Sequence, residues 1–238
     1  MTKATRVVGL IGGMSWKTTA LYYEAINKQV AAKLGGIHSA NILIRSLDYA
    51  KISDFIAMKN YEGMTDLFCK TGKELKSAGA QALVLCANVA HKSAGDLERQ
   101  SGLPVLHIAD FTAREIVKQS YKRVGLLATR AVMEDDFYKG RLKGRFGLDV
   151  VVPDHEFRVQ ADRLIFDELS KDKVDPEVVS IIHSAYQQLV REKDVECMIL
   201  GCTEFRLVFT PENITVPTFE TTALHAKGVA DWLLDEKA

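Results

Sequence analysis

Residues 7–13 read Val7-Val8-Gly9-Leu10-Ile11-Gly12-Gly13. A short apolar run closed by two glycines reads as a strand buried on both faces. Lys17 to Leu34 follows, with Tyr22, Ile26, Val30 and Leu34 at every fourth position. That period predicts a helix, and Gly35-Gly36 stops it. The same alternation continues. Asn41–Leu47, Ala82–Leu85 and Val105–Ile108 read as strands, and Tyr61–Ser77 as a helix with Met64, Leu67, Phe68, Thr71 and Leu75 on one face. Further on, Arg123–Leu127, Val150-Val151 and Met198–Leu200 read as strands, with a helix over Glu177–Glu192. Strands alternating with helices predict an α/β fold, with parallel sheets covered by helices.

The second half echoes the first. Val8-Gly9-Leu10-Ile11 returns as Val124-Gly125-Leu126-Leu127, and Leu83-Val84-Leu85-Cys86 returns at the same offset as Ile199-Leu200-Gly201-Cys202. Leu103-Pro104-Val105 and Val216-Pro217-Thr218 are a third, looser match. Three matches in one order predict two pseudo-symmetric lobes, each a parallel sheet flanked by helices. The expected limits are 1–116 for the first lobe, with 213–238 returning to it, and 117–212 for the second.

Composition narrows the function. Lys plus Arg equals Asp plus Glu at 31 each, so no charge bias points to nucleic acid or an anionic membrane. No apolar stretch approaches the roughly 18 residues of a spanning helix, and the N-terminal run is too short for a leader, so a cytoplasmic protein is expected. The four cysteines form no C-x-x-C pair and the histidines no clustered spacing, so neither a metal nor a disulfide is expected.

Ligands of parallel sheets bind beyond the carboxyl ends of the strands. Cys86 and Cys202 each end a strand, in repeat register. If the lobes face each other, both thiols enter one inter-lobe cleft, from opposite sides of whatever it holds. Inverting a stereocentre by proton exchange needs that arrangement, because a lone base returns the proton to the face it came from. The ordinary thiol pKa, about 8.5, falls at helix N-termini, so thiolates are expected here. Cys69 and Cys197 read as buried, inert residues. The turn Gly12-Gly13-Met14-Ser15-Trp16 has neither G-x-G-x-x-G nor G-K-[ST] spacing. It reads as a carboxylate-binding turn or, equally, as a tight turn with no ligand.

These segments resemble the aspartate/glutamate racemase family, in its cofactor-independent, two-cysteine branch. Gly12-Gly13-Met14-Ser15-Trp16 is similar to the family's first loop, Cys86-Ala87-Asn88-Val89-Ala90-His91 to its C-x-N-T-x-H motif, and Gly201-Cys202-Thr203-Glu204 to its G-C-T-E motif. Phe137-Tyr138 to Pro153 and the tail Phe219 to Ala226 are similar too. The resemblance implies that Cys86 and Cys202 are the acid/base pair, and that Asn88 and Thr203 bind the amino and carboxylate groups. It further implies contacts from Met14, Ser15, Val89 and Thr129, and help for the second cysteine from Glu204. It implies an isomerase acting on an acidic amino acid, most naturally aspartate, with no cofactor and as a homodimer. Val89 replaces the motif's threonine, and Ala128 and Val132 depart from a G-T-x-x-T-M pattern, which loosens the case for aspartate. Glutamate or broad specificity stays open, as does a binding protein without turnover. A decarboxylase of similar fold needs only one cleft cysteine. Arg45 is a candidate for the side-chain carboxylate or, equally, a surface arginine.

Overall fold

A computed structural model describes residues 6–171 and 174–234. The chain forms two compact units. The first comprises the residues up to Ile108 and those from Thr222 onward; the second is Ala109–Thr221.

The first unit opens with β1 (Val8–Gly12), α1 (Trp16–Leu34), β2 (Ile42–Ser46), α2 (Tyr49–Ala57), α3 (Tyr61–Ser77) and β3 (Ala82–Leu85). A 3-10 turn, Val89–Ser93, leads into α4 (Ala94–Ser101). The three strands are parallel in the order β2-β1-β3. Successive strand residues face opposite sides. Val8, Leu10, Val84 and Cys86 therefore share one core cluster with Tyr22 and Ile26, while Ile11, Leu83 and Leu85 share another with Phe68 and Leu97.

The expected strand Val105–Ile108 is a single bridge, Leu83 to Val105. Leu106 N–H reaches Leu83 O at 2.9 Å, but helix α5 (Ile108–Lys118) begins two residues later. The Ile108 N–H is committed to a histidine, so no ladder can continue through it.

The second unit continues with β4 (Arg123–Leu127), α6 (Arg130–Glu134), α7 (Asp136–Phe146), β5 (Asp149–Val151) and α8 (His155–Arg163). A π-helical turn, Leu164–Glu168, follows α8. Then come α9 (Pro176–Glu192), β6 (Cys197–Leu200), a 3-10 turn (Thr203–Leu207), β7 (Thr218–Glu220) and α10 (Thr221–Leu233). This sheet is also parallel, in the order β5-β4-β6-β7. The strand that begins at Thr218 pairs with β6, from Met198–Thr218 to Leu200–Glu220. Residues 213–221 therefore sit in the second unit, and so does most of α5, which moves both expected lobe boundaries.

Helix α10 belongs to the first unit after its opening residue. Ala226, Val229, Ala230 and Leu233 pack on the β1–β3 face that carries Cys86. Arg6 fastens its far end, donating to Trp232 O at 3.0 Å.

Candidate active site

Each unit carries one cysteine just past the carboxyl end of a parallel strand, β3 in the first and β6 in the second. In the first, Cys86 follows β3 and its N–H still donates to Ile11 O of β1 at 3.0 Å. Its side chain is fully buried. Asn88 is buried beside it and Val89 half-buried, at the start of the 3-10 turn. His91 ties this loop down through Nδ1, 2.9 Å from Ala87 O.

The glycine turn after β1 lies at the same edge of the sheet. A Cβ on Gly13, whose φ is +94°, would fall 2.0 Å from Leu47 O. One on Gly12 would meet the Thr19 side chain at 2.4 Å. Both glycines therefore permit close approach to neighbouring elements of the fold itself. Thr19 Oγ1 accepts the Gly13 N–H at 2.8 Å and donates to Ser15 O at 3.0 Å. Ser15 caps α1 by accepting the Thr18 N–H at 3.4 Å, and Met14 packs on the core cluster of α3.

Arg45 is exposed. It pairs with Glu74 at 3.5 Å and donates to its neighbour's carbonyl, Ser46 O, at 3.3 Å. The structure thus gives it the surface ion pair.

In the second unit Cys202 follows β6 and is partly buried. Its Sγ–H donates to Glu204 Oε2 at 2.9 Å, and the Thr203 hydroxyl donates to the same oxygen at 2.8 Å. Thr129 is buried at the N-cap of α6, just beyond the neighbouring strand β4. Ala128 and Val132 are fully buried, and a Cβ on Gly201 would lie 2.8 Å from the Ala128 methyl. The two departures from the family pattern are therefore packing positions.

Both thiols depart from the expectation of low pKa. Burial raises Cys86 well above the ordinary thiol range. Burial also raises Cys202, and the adjoining negative charge of Glu204 adds to the effect. A short 3-10 turn follows each motif, Val89–Ser93 and Thr203–Leu207, and α4 begins only at Ala94, so no α-helix N-terminus lies directly at either cysteine to favour a thiolate. In the free protein both cysteines stand as thiols. Cys69 and Cys197 are buried in α3 and β6, and the Cys197 thiol is pushed up to about 12 by its burial.

Asp162 is a site neighbour that the sequence reading missed. From α8 it accepts the Arg130 N–H at 2.8 Å, and its charge adds to the rise at Cys202. Burial raises its own carboxyl above the usual range. An acid within a helix that also carries Glu156 and Arg163 has no spacing that marks it. No group of three or more His, Cys, Asp or Glu suited to a metal occurs among the described residues. None of their helices is long and apolar enough to cross a membrane.

A family model of Asp/Glu/hydantoin racemases matches residues 11–229. A solved structure from Yersinia pestis, provisionally classed as an Asp/Glu racemase, is 40% identical with a TM-score of 0.90, over 97% of this chain and 100% of that one. An aspartate racemase homologue from Pyrococcus horikoshii is 28% identical with a TM-score of 0.79, over 97% and 100% of the two chains. The broad specificity amino-acid racemase RacX of Bacillus subtilis is 22% identical, over 96% of this chain and 98% of its own. The chain belongs to the Asp/Glu/hydantoin racemase family and is an isomerase, an amino-acid racemase.

Proposed function

We propose that the protein racemises an acidic amino acid, aspartate first, by two-thiol proton transfer without a cofactor. One observation carries this reading: in each unit a cysteine lies just past the carboxyl end of a parallel strand, and one of the two, Cys202, already hydrogen-bonds through its Sγ–H to a carboxylate, Glu204. When Cys202 is the base, its proton first passes to Glu204. The thiolate then takes the Cα proton, and Cys86 supplies its own proton to the other face of Cα. Cys202 ends as a thiol and Cys86 as a thiolate, the form that accepts the opposite enantiomer. The carbanion is held by charge-assisted hydrogen bonds to its α-carboxylate, with Asn88 and Thr203 as the proposed donors. Met14, Ser15, Val89 and Thr129 complete the proposed substrate contacts. The family resemblance further supports a cytoplasmic homodimer.

Broad specificity is the second reading. It is favoured by the pairing of Arg45 with Glu74, which engages the candidate partner for a side-chain carboxylate. The similarity to a broad specificity racemase supports it too.

The test is incubation of single-enantiomer amino acids in heavy water, read by chiral chromatography and mass spectrometry. The opposite enantiomer should appear with deuterium at Cα, fastest from aspartate, and Cys86→Ser or Cys202→Ser should abolish it. Unlabelled product, or full turnover in either variant, would reject the two-thiol scheme.

A further inference from the structure

Four buried polar side chains beneath Cys86 take no part in the reaction just described. Tyr22 on α1 and His225 on α10 are fully buried, and His91 and His107 nearly so. The three imidazoles cluster, with His91 to His107 at 4.5 Å and His91 to His225 at 5.6 Å between ring centres. Burying polar groups this deeply is costly unless they are hydrogen-bonded.

Their bonds run in one direction. Backbone carbonyls only accept and backbone N–H groups only donate, so the partners fix the tautomers. His225 Nε2 lies 2.7 Å from Leu106 O and must carry a proton. Burial disfavours the charged ring, which leaves Nδ1 bare to accept the Tyr22 hydroxyl at 2.8 Å. His91 Nε2 accepts the Ile108 N–H at 3.2 Å, so its proton is on Nδ1 and goes to Ala87 O at 2.9 Å. Both rings are neutral, and His91 has no nitrogen left to serve as an acid or base for Cys86. The link Leu106–Ile108 is gripped by His225 on one side and by His91 on the other.

We propose that Tyr22 and His225 are positioning residues for the Cys86 thiol, acting through Leu106–Ile108 and His91 on the peptide just beyond it; the proposal rests on the two-thiol reading above. Tyr22 and Ala226 also share the core cluster that contains Cys86, so packing and hydrogen bonds act on the same sulfur. Proton transfer to carbon tolerates little misplacement, and an error of about 1 Å can cost on the order of a hundredfold in rate.

The experiment compares Tyr22→Phe, His225→Leu and His225→Gln in the full chain. Glutamine places an N–H₂ where Nε2 stood and can still donate to Leu106 O, so it should restore part of what leucine loses. Iodoacetamide labelling followed by peptide mass mapping reads each cysteine separately and needs no turnover. Tyr22→Phe and His225→Leu should alter the Cys86 labelling rate several-fold and leave Cys202 at its wild-type rate. Turnover should fall about tenfold in kcat with KM little changed. With Cα-deuterated substrate, the isotope effect should change in one direction of racemisation only. Labelling and kcat at wild-type values in Tyr22→Phe and His225→Leu would overturn the proposal. So would equal changes at both cysteines that track a lowered Tm, the mark of general loosening. A wild-type protein that racemises nothing would sink the racemase reading, while the labelling result would still decide whether these residues hold Cys86.

Discussion

Glu204 accepts the Cys202 Sγ–H hydrogen bond on the same Oε2 that accepts the Thr203 hydroxyl, at 2.9 and 2.8 Å. One carboxylate oxygen is thus turned toward the sulfur and held there by a neighbouring side chain. Glu204→Gln keeps the shape and removes the base. It should lower kcat by about a hundredfold, the low end of general acid–base effects. Steady-state rates from both enantiomers check this, and a variant within a factor of two of wild type would show that the contact is not used.

The raised thiol pKa values set the shape of the rate profile. Burial, and at Cys202 also Glu204, moves loss of either thiol proton to solvent to higher pH. Passing the Cys202 proton to Glu204 changes no net charge, so the reactive pair forms without release of a proton to solvent. kcat/KM should therefore stay level from about pH 7 to about 8.5, the ordinary thiol value. A tenfold rise per pH unit across that span would show that a thiol must first lose its proton to solvent.

His225 bears on stability rather than rate. Burial, then the neighbouring His91, holds it far below the usual imidazole range of 6.5, while its bond to Leu106 O opposes the shift. Tyr22, His91 and, through His91, His107 are the titratable groups around it. Above about pH 6.5 folded and unfolded chains are both neutral here and the contribution is whole. Below it the unfolded chain binds a proton that the folded chain refuses. Stability should then fall by up to about 1.4 kcal/mol per pH unit. Denaturant unfolding from pH 7.5 to 5 checks the slope. His225→Gln should start lower and fall less steeply; equal slopes would remove His225 as the cause.

Two glycines should respond in opposite ways. Gly13→Ala puts a methyl 2.0 Å from Leu47 O at a φ of +94°, and should cost at least about 1–3 kcal/mol. Gly144, exposed within α7, has nothing within 4 Å of the position a methyl would take, so Gly144→Ala should add up to about 1 kcal/mol. Tm measured for both variants checks this, and a fall with Gly144→Ala would refute the helix-propensity account.

What could be read in advance depended on whether the signal was local. The runs at Val8, Ala82, Arg123 and Cys197 are strands because each is apolar over a strand's length and bounded by turn residues. Cys86 and Cys202 were visible because each ends such a run. Val105–Ile108 has the same apolar look, yet it makes one bridge because His91 takes the Ile108 N–H. The pairing of Arg45 with Glu74 and the contact of Asp162 with Arg130 join different elements and leave no periodic trace. The thiol shifts come from burial, which motif spacing does not report. Tyr22 and His225 lie in segments that read as helix and tail, and nothing in either segment names the other as its partner.

The second unit is one uninterrupted stretch, whereas the first is assembled from two stretches with the whole second unit between them. A ribosome therefore delivers everything Cys202 needs before it delivers His225. A nascent chain would carry a finished second unit beside an unfinished first one, with the apolar wall around Tyr22 still awaiting its covering helix. The earlier cysteine in the sequence is the later one to be set in place.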